Sequence, residues 1–227
     1  MRCNRSVTHG DGFMPVRKVH HGDRNIIGNF ASIKMKRLVE FESTIERDYL
    51  YMLDYLPSVI SFEEQPFTID YTHEGKTARY TPDFLVSTTE ASVLVECKPA
   101  KSTEQVDNQR KFQAARDWCE KNHLRFEVVT DDRLRLGYEL RNVKLLTQFA
   151  RHAVNATSKA SVRDHLMQNQ GTLSIASLTE LVSPSSPNSV LVVLFHMAFH
   201  HTIDIEMTAR PISHGSLVSL QQKENIS

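Results

Sequence analysis

The sequence predicts an α/β protein in which a mixed-sheet domain precedes a smaller, mostly helical unit. Residues 44–130 show a helical pattern, then a meander of strand patterns, then a strand, a helix and another strand. Beyond residues 154–160, a stretch of small polar residues, charge becomes sparse and serine frequent, which marks a boundary. The 227 residues are 40% hydrophobic and 24% charged, which is typical of globular chains and excludes wholesale disorder.

The first unit begins with a helix over residues 44–55, because Ser43 is a good N-cap and Pro57 stops the pattern. Runs rich in Val, Ile, Phe and Tyr then predict strands over residues 59–63, 67–71, 78–86 and 92–98. Pro99 ends the last of these strands, since proline cannot donate to a ladder. The rest of the unit is predicted as a helix over 104–122, a strand over 125–130 and a helix over 138–153.

The second unit is predicted as three helices followed by a hairpin. The helices are expected over 159–169, 175–182 and 189–200, and the strands over 202–207 and 215–220. This order is the winged-helix pattern, a helix-turn-helix variant. Its basic residues are few, namely Lys159, Arg163, Arg210 and Lys223. A winged helix that reads DNA alone is normally more basic, so we expect residues 156–227 to contact a protein partner.

Charge and cysteine content restrict the function classes. Lys+Arg and Asp+Glu both total 27, so net charge predicts no polyanion partner. The first 40 residues are different, with 8 basic and 3 acidic side chains, and form a basic arm that either contacts phosphates or is simply solvated. The three cysteines are widely spaced, which suits a reducing cytoplasm and offers no structural zinc site. No apolar run approaches the roughly 20 residues that span a bilayer, so we expect no membrane association.

The candidate catalytic residues lie on the predicted hairpin that ends with strand 92–98. Strand side chains alternate, so Glu96 and Lys98 share one face of strand 92–98 while Cys97 lies on the other, apolar face. A turn at residues 88–91 would fold an antiparallel hairpin and bring Asp83 opposite Glu96. Two carboxylates and an amine would then surround one small volume.

That arrangement has a chemical use. Carboxylate oxygens are the donors that Mg²⁺ prefers, and the metal acidifies water and stabilises charge that builds on phosphorus. A neighbouring lysine can orient or deprotonate the water, or offset that charge. Asp83, Glu96 and Lys98 therefore form a minimal phosphodiester hydrolysis site, with the Cys97 carbonyl as a further metal ligand. The alternative is a surface salt bridge between Glu96 and Lys98 on an edge strand, worth about 0–1 kcal/mol.

Several other side chains are candidates with open alternatives. Glu46 can face the same metal, or it can bond back to the Ser43 amide in a capping box. Four polar residues flank the motifs and could meet DNA phosphates, although a solvated helix face is an alternative for the last: Arg79, Lys101, Gln109 and Lys111. Three histidines include an i, i+4 pair but have no suitably spaced acidic or Cys partner, so we assign them to a helix end: His196, His200 and His201.

Five ordered motifs resemble the TnsA family, the endonuclease subunits of heteromeric transposons. They are Phe41-Glu-Ser-Thr-Ile-Glu-Arg-Asp-Tyr-Leu50, Pro57-Ser-Val59, Glu63-Glu-Gln-Pro66, Tyr80-Thr-Pro-Asp-Phe84 and Val95-Glu-Cys-Lys-Pro99. The resemblance covers roughly residues 40–135. The short length and the early catalytic helix look like the CRISPR-associated branch of these transposons.

The resemblance implies a restriction-endonuclease-like core of the PD-(D/E)xK type over residues 41–155, with Mg²⁺ as cofactor and Mn²⁺ able to substitute. Carried over residue by residue, the active-site positions are Glu46, Asp83, Glu96 and Lys98. A family member has Gln at the third position, where Glu96 here supplies an ordinary acidic metal ligand beside Glu46, Asp83 and Cys97.

The resemblance also implies cleavage of the non-transferred strand at the 5′ side of transposon ends. The implied partners are transposon-end DNA, a DDE transposase subunit of the TnsB type and an AAA+ ATPase of the TnsC type. Any ATP dependence would come from that partner, since the sequence has no P-loop. Two rivals stay open: a free-standing restriction or repair nuclease, and a non-catalytic DNA-binding adaptor whose acidic cluster is structural.

Overall fold

The computed structural model describes residues 26–221 and contains eleven strands, seven α-helices and one 3₁₀ helix within that range. The strands are β1 (Gly28–Ala31), β2 (Leu38–Phe41), β3 (Val59–Glu64), β4 (Ile69–His73), β5 (Lys76–Tyr80), β6 (Phe84–Thr88), β7 (Ser92–Lys98), β8 (Arg125–Thr130), β9 (Thr172–Ser174), β10 (Ile203–Ile205) and β11 (Leu217–Leu220). The helices are α1 (Thr44–Tyr55), α2 (Val106–Lys121), α3 (Asp131–Leu134), α4 (Glu139–Thr147), α5 (Ala156–Gln168), α6 (Ile175–Val182) and α7 (Pro187–Phe199), with the 3₁₀ turn at Ala100–Ser102.

The first unit is built on a four-stranded sheet of order β3-β6-β7-β8. Strand β6 runs antiparallel to β3 and β7, whereas β7 and β8 are parallel and are joined through α2. Apolar residues of α1 pack with Val95 and Cys97 on one face of β7, and α2 packs with Leu94 on the other. The mixed α/β class predicted from the sequence is confirmed, and β7 is a central strand covered on both faces.

The predicted strand over residues 78–86 is wrong as a single element. Strand β5 ends at Tyr80 and pairs with β4 in a separate two-stranded hairpin, whereas β6 starts at Phe84 in the main sheet. Buried Pro82 lies in the break and has no amide hydrogen for a ladder. The break leaves Asp83 at the point where the chain enters the main sheet.

The structure also differs from the expected basic arm over residues 1–40. Residues 28–41 form the β1–β2 hairpin, and Phe30, Val39 and Phe41 are buried in the core beside α1. The sequence pattern missed this hairpin because each strand has only four residues. Residues 1–25, with the remaining arm residues Arg2, Arg5, Arg17, Lys18 and Arg24, lie outside the described residues.

Two basic side chains of this hairpin stabilise the fold. The ammonium of Lys34 donates to the carbonyls of Leu53, Leu56 and Val59 at 2.8, 2.5 and 2.7 Å, and so satisfies the end of α1. Arg37 makes a two-pronged pair with Glu64, with N···O distances of 2.6 and 2.5 Å. These cations are engaged within the chain, which disfavours a phosphate-binding role for them.

The second unit has the order α5, β9, α6, α7, β10, β11, with a three-stranded antiparallel sheet of order β10-β11-β9. The three predicted helices are present: α6 has the predicted ends, whereas α7 is shifted and α5 begins one turn early because Asn155 caps it. Strand β9 was not predicted, because its three residues directly precede α6 and are too few to show the alternation of a strand. The expected helix over 138–153 ends early, at Thr147.

Helix α7 joins the two units. It is almost entirely apolar and buried, and it packs against α4 and the end of α1. The ring Nε2 of His200 donates to the Ala150 carbonyl at 2.9 Å, and that of His201 donates to the Tyr55 carbonyl at 2.8 Å. His196, His200 and His201 therefore lie at a helix end, as predicted, and their ring nitrogens contact carbonyls of the first unit and of the segment that joins the units.

Among residues 26–221, no helix combines the length and apolarity needed to cross a membrane.

Candidate active site

A cleft of about 840 Å³ opens where the β6–β7 hairpin meets the start of α1 and the end of β5. Its charged lining residues are Glu42, Glu46, Arg79, Asp83, Glu96, Lys98 and Lys111. The four predicted active-site residues therefore come together in one place, although they arise from a helix, a strand junction and a central strand.

The β6–β7 hairpin positions Asp83. The pairing of Phe84 with Val95 places Asp83 opposite Glu96 at the next step, as the hairpin prediction requires. The Asp83 amide donates to the Val95 carbonyl at 3.1 Å, and the Cys97 amide donates to Oδ2 of Asp83 at 2.7 Å. Within residues 26–221, no protein donor is bonded to Oδ1 of Asp83, which leaves that oxygen for a ligand.

Glu96 and Lys98 project into the cleft from the same face of β7. Glu96 is 2% exposed; its Oε1 lies 2.7 Å from the Lys98 ammonium, and its Oε2 accepts from the Tyr80 hydroxyl at 2.7 Å. The alternative of a surface ion pair on an edge strand is wrong, because β7 is central and the carboxylate is buried. A buried, fully hydrogen-bonded carboxylate is held in one orientation.

Of the two roles that the sequence left open for Glu46, the reciprocal capping-box bond is not formed. The Ser43 hydroxyl accepts from the Glu46 amide at 3.1 Å and caps α1. The carboxylate, however, accepts from the Glu42 amide at 2.7 Å through Oε2, and no bond returns to the Ser43 amide as a capping box requires. Helix α1 thus begins at the cleft and directs a buried acid to it.

The acids of the cleft repel one another, and their negative charges are not fully balanced by neighbouring cations. Burial and the charges of Glu96 and Glu46 raise the pKa of Asp83 well above its ordinary value. Burial and the charges of Glu42 and Glu96 likewise raise the pKa of Glu46. Burial lowers the pKa of Lys98, but the Glu96, Asp83 and Glu46 charges outweigh it and raise the pKa overall, so the ammonium stays charged. The four predicted active-site residues comprise three acids and one cation, so their mutual repulsion favours further positive charge.

Three residues of the site were missed by the sequence reasoning. Tyr80 holds Glu96, and its signal was its place in the Tyr80–Phe84 motif. Gln65 and Glu42 bond to each other, with Nε2 of Gln65 donating to Oε1 of Glu42 at 2.6 Å. A buried Gln before Pro66 was a weak signal for a site residue, and only the fold places it beside Glu42.

The predicted DNA contacts separate into two pairs. Arg79 and Lys111 line the cleft, and Arg79 is 76% exposed beside Asp70. Lys101 and Gln109 are not among the described lining residues: Lys101 is exposed on the 3₁₀ turn, and the Gln109 amide donates to the Thr103 carbonyl at 2.7 Å. Only the first pair is placed to meet a nucleic acid that enters the cleft.

The donor set suits a hydrated metal better than a closed cage. Among residues 26–221, no three His, Cys, Asp or Glu side chains form a ready-made metal-binding group. Mg²⁺ commonly takes one or two carboxylates and keeps several waters, and for that the buried acids here suffice. The Cys97 thiol is buried and its pKa is raised by that burial, so any contribution of Cys97 would come from its carbonyl.

Three acids and a charged lysine line one cleft at the end of a central strand, and the class is an α/β domain with an acidic cleft. Residues 56–131 match the family described as "TnsA-like endonuclease N terminal". This segment is similar to TnsA-like endonucleases, which confirms the resemblance over these residues and is consistent with a nuclease. The match contains Asp83, Glu96 and Lys98, whereas Glu46 precedes it. The comparison with curated proteins gave no match.

Proposed function

We propose that this chain is a Mg²⁺-dependent DNA endonuclease subunit of a heteromeric transposase, which cuts the non-transferred strand at the 5′ side of transposon ends. The observation that carries the proposal is the convergence of Asp83, Glu96, Glu46 and Lys98 on one cleft of a TnsA-like domain. The restriction-endonuclease-like core is part of the proposal, and the mixed sheet with its central acidic strand supports it.

Asp83, with Glu46 or Glu96 and the Cys97 carbonyl, would hold the metal. When bound, Mg²⁺ supplies Lewis acidity to the phosphodiester and offsets the charge that the three acids leave. Mn²⁺ has similar oxygen preferences and should substitute. Oδ1 of Asp83 supports this assignment, because the other oxygen is already fixed by the Cys97 amide and no described protein donor bonds to Oδ1.

The remaining side chains orient the substrate and carry charge. Lys98 stays protonated, so we assign it to stabilise negative charge on the scissile phosphate rather than to remove a proton from water. Tyr80 fixes Glu96 from the opposite side to Lys98 and keeps the carboxylate from rotating. Arg79 and Lys111 at the cleft wall would contact neighbouring phosphates.

The C-terminal unit is proposed as a winged-helix domain that docks protein partners, a TnsB-like transposase and a TnsC-like ATPase. Its helix, strand, helix, helix, strand, strand order supports the fold. Helix α7 occupies the position of a recognition helix, yet it has no Lys or Arg and packs into the molecule. A helix so buried cannot enter a major groove, which favours protein contact over direct DNA reading.

The test uses transposon-end duplexes with the non-transferred strand labelled at its 5′ end, in Mg²⁺, with the transposase and ATPase partners. Asp83→Asn keeps an acceptor for the Cys97 amide and should lower cleavage by at least about 100-fold. The matched control is Asp204→Asn, an exposed acid on β10, which should cut like the wild type.

Three outcomes would contradict the proposal. Unchanged cleavage by Asp83→Asn would show that Asp83 is not an active-site residue. Efficient cutting of arbitrary DNA without partners would favour a free-standing nuclease. DNA binding with no cleavage under any of these conditions would favour the adaptor.

A further inference from the structure

Gln65 has a conformation that the sequence does not favour. Its φ is +44°, although it carries a side chain and precedes Pro66, where extended backbone is preferred. The side chain is 8% exposed, and within the described chain its Oε1 is the buried side-chain atom left without a hydrogen-bond partner. Nε2 faces the Glu42 carboxylate, which accepts, so the amide cannot turn to satisfy its oxygen.

Two unfavourable features at one buried residue require a compensating role. Backbone outliers of this kind persist only where the surrounding structure enforces them, and they cluster at functional sites. An unpaired buried acceptor is similarly disfavoured. The neighbouring contact of Glu64 with Arg37 fixes the end of β3 and therefore helps to impose the conformation of Gln65.

The contacts of Gln65 reach both segments that carry the cleft acids. Its backbone amide donates to the Asp83 carbonyl at 2.8 Å. Its side-chain amide donates to Glu42 at 2.6 Å, and the Glu42 amide in turn donates to the Glu46 carboxylate at 2.7 Å. One residue thus connects the strand junction that holds Asp83 to the start of the helix that holds Glu46.

We propose that Gln65 is a positioning residue that sets the separation of Asp83 and Glu46 for the divalent cation and the scissile phosphate. The inference rests on the proposed nuclease function of the same cleft. Gln65 acts through Glu42 and through the Asp83 backbone, and it touches neither metal nor substrate itself. The strained backbone and the orphaned oxygen are retained because the two donors of Gln65 must point in these two directions.

The first test exchanges the partners of the side-chain bond. Gln65→Glu removes the donor and sets two carboxylates against each other, so nicking in Mg²⁺ should fall at least tenfold. Adding Glu42→Gln restores one donor and one acceptor with their roles reversed, and should recover most of the rate. Wild-type activity of Gln65→Glu, or no recovery in the double variant, would overturn the inference.

The second test separates positioning from stability. Gln65→Gly keeps the backbone amide, accepts the positive φ and removes the orphaned oxygen, which offsets the lost Glu42 bond, so the thermal midpoint should stay close to that of the wild type. The dissociation constant for Mn²⁺ alone, measured by electron paramagnetic resonance, should nevertheless rise at least tenfold. Gln170→Gly, at φ +60° in the second unit, is the matched control and should leave Mn²⁺ binding unchanged.

The outcomes distinguish the two proposals. If the wild type nicks DNA and Gln65→Gly binds Mn²⁺ equally well, the positioning role is wrong and the nuclease stands. If the wild type neither binds Mn²⁺ nor nicks with its partners present, the nuclease proposal fails, and the role of Gln65 fails with it.

Discussion

Two of the three buried acids of helix α1, Glu46 and Asp48, lie two residues apart and have opposite electrostatic surroundings. Glu46 faces the cleft, where burial and other carboxylates raise its pKa. Asp48 faces α3 and α4; burial would raise its pKa, but hydrogen bonds and charges from Lys144 and Arg135 outweigh burial and lower it. The charge of Asp48 is therefore neutralised by neighbouring cations, whereas that of Glu46 is repelled by neighbouring carboxylates.

The difference indicates how to separate functional from structural acids in this fold. Asp48 accepts from Lys144 and Arg135 at 2.5 and 2.9 Å, so its charge is satisfied within the chain and joins three helices. Among the described residues, four acids line the cleft, and Lys98 is the lining cation that forms an ion pair with one of them. Burial is common to both regions, and it is the missing counter-charge that points to an external cation.

Replacing Asp48 and Glu46 by their amides should give the largest difference in stability between the two regions. Asp48→Asn leaves Lys144 and Arg135 without their carboxylate and should lower the free energy of unfolding by about 2 kcal/mol, moderated because both cations are partly exposed. Glu46→Gln removes a repelled charge, so it should cost little stability but lower cleavage. Urea unfolding and nicking assays on both variants check this. Equal loss of stability in the two would show that the cleft acids are structural.

The stability lost in Asp48→Asn should depend on pH in a direction that the lowered pKa of Asp48 determines. The pKa of Asp48 is lower in the folded state than the ordinary 3.8, so its contribution is present above pH 4 and disappears as pH falls through the folded value. The difference in unfolding free energy between wild type and Asp48→Asn should therefore be constant near neutral pH and shrink in strong acid. A difference that grows on acidification would contradict the ion-pair explanation.

The predictable part of the site came from local rules. Alternation along β7 and the turn at 88–91 placed Asp83, Glu96 and Lys98 together, because a hairpin of known length has a defined register. The break between β5 and β6 was not predictable, since residues 78–86 read as one apolar strand and only the pairing of β5 with β4 separates them. The counter-charges of Asp48 come from residues about 90 positions away, beyond any local pattern.

A smaller effect tests whether DNA is held by the cleft or by the second unit. Arg79 and Lys111 line the cleft, so the double variant Arg79→Ala/Lys111→Ala should reduce the salt slope of DNA binding by about 2, one per phosphate contact. Arg163→Ala/Arg210→Ala, two exposed cations of the C-terminal unit, is the matched control and should leave the slope unchanged. Fluorescence anisotropy over a range of salt concentrations measures both. The opposite result would assign DNA binding to the C-terminal unit.

The smallest effect concerns the junction between the units. His201→Phe keeps a ring against Tyr55, whose centroid lies 4.5 Å away, but removes the donor to the Tyr55 carbonyl. The loss should be about 1 kcal/mol in unfolding free energy. His123→Phe is the control, since His123 also has a positive φ but is exposed on the other unit.

The activity of the same variant decides how the two regions are related. Tyr55 is the last residue of α1, whose first turn carries Glu46, so the junction and the cleft lie at opposite ends of one helix. A helix held by Asp48 and by the Lys34 cap should not transmit the loss of one hydrogen bond, and nicking should stay at the wild-type rate. A drop in nicking larger than the stability loss explains would mean that the C-terminal unit sets the position of Glu46 through α1, and the separation of a reactive region from a docking region would then be wrong.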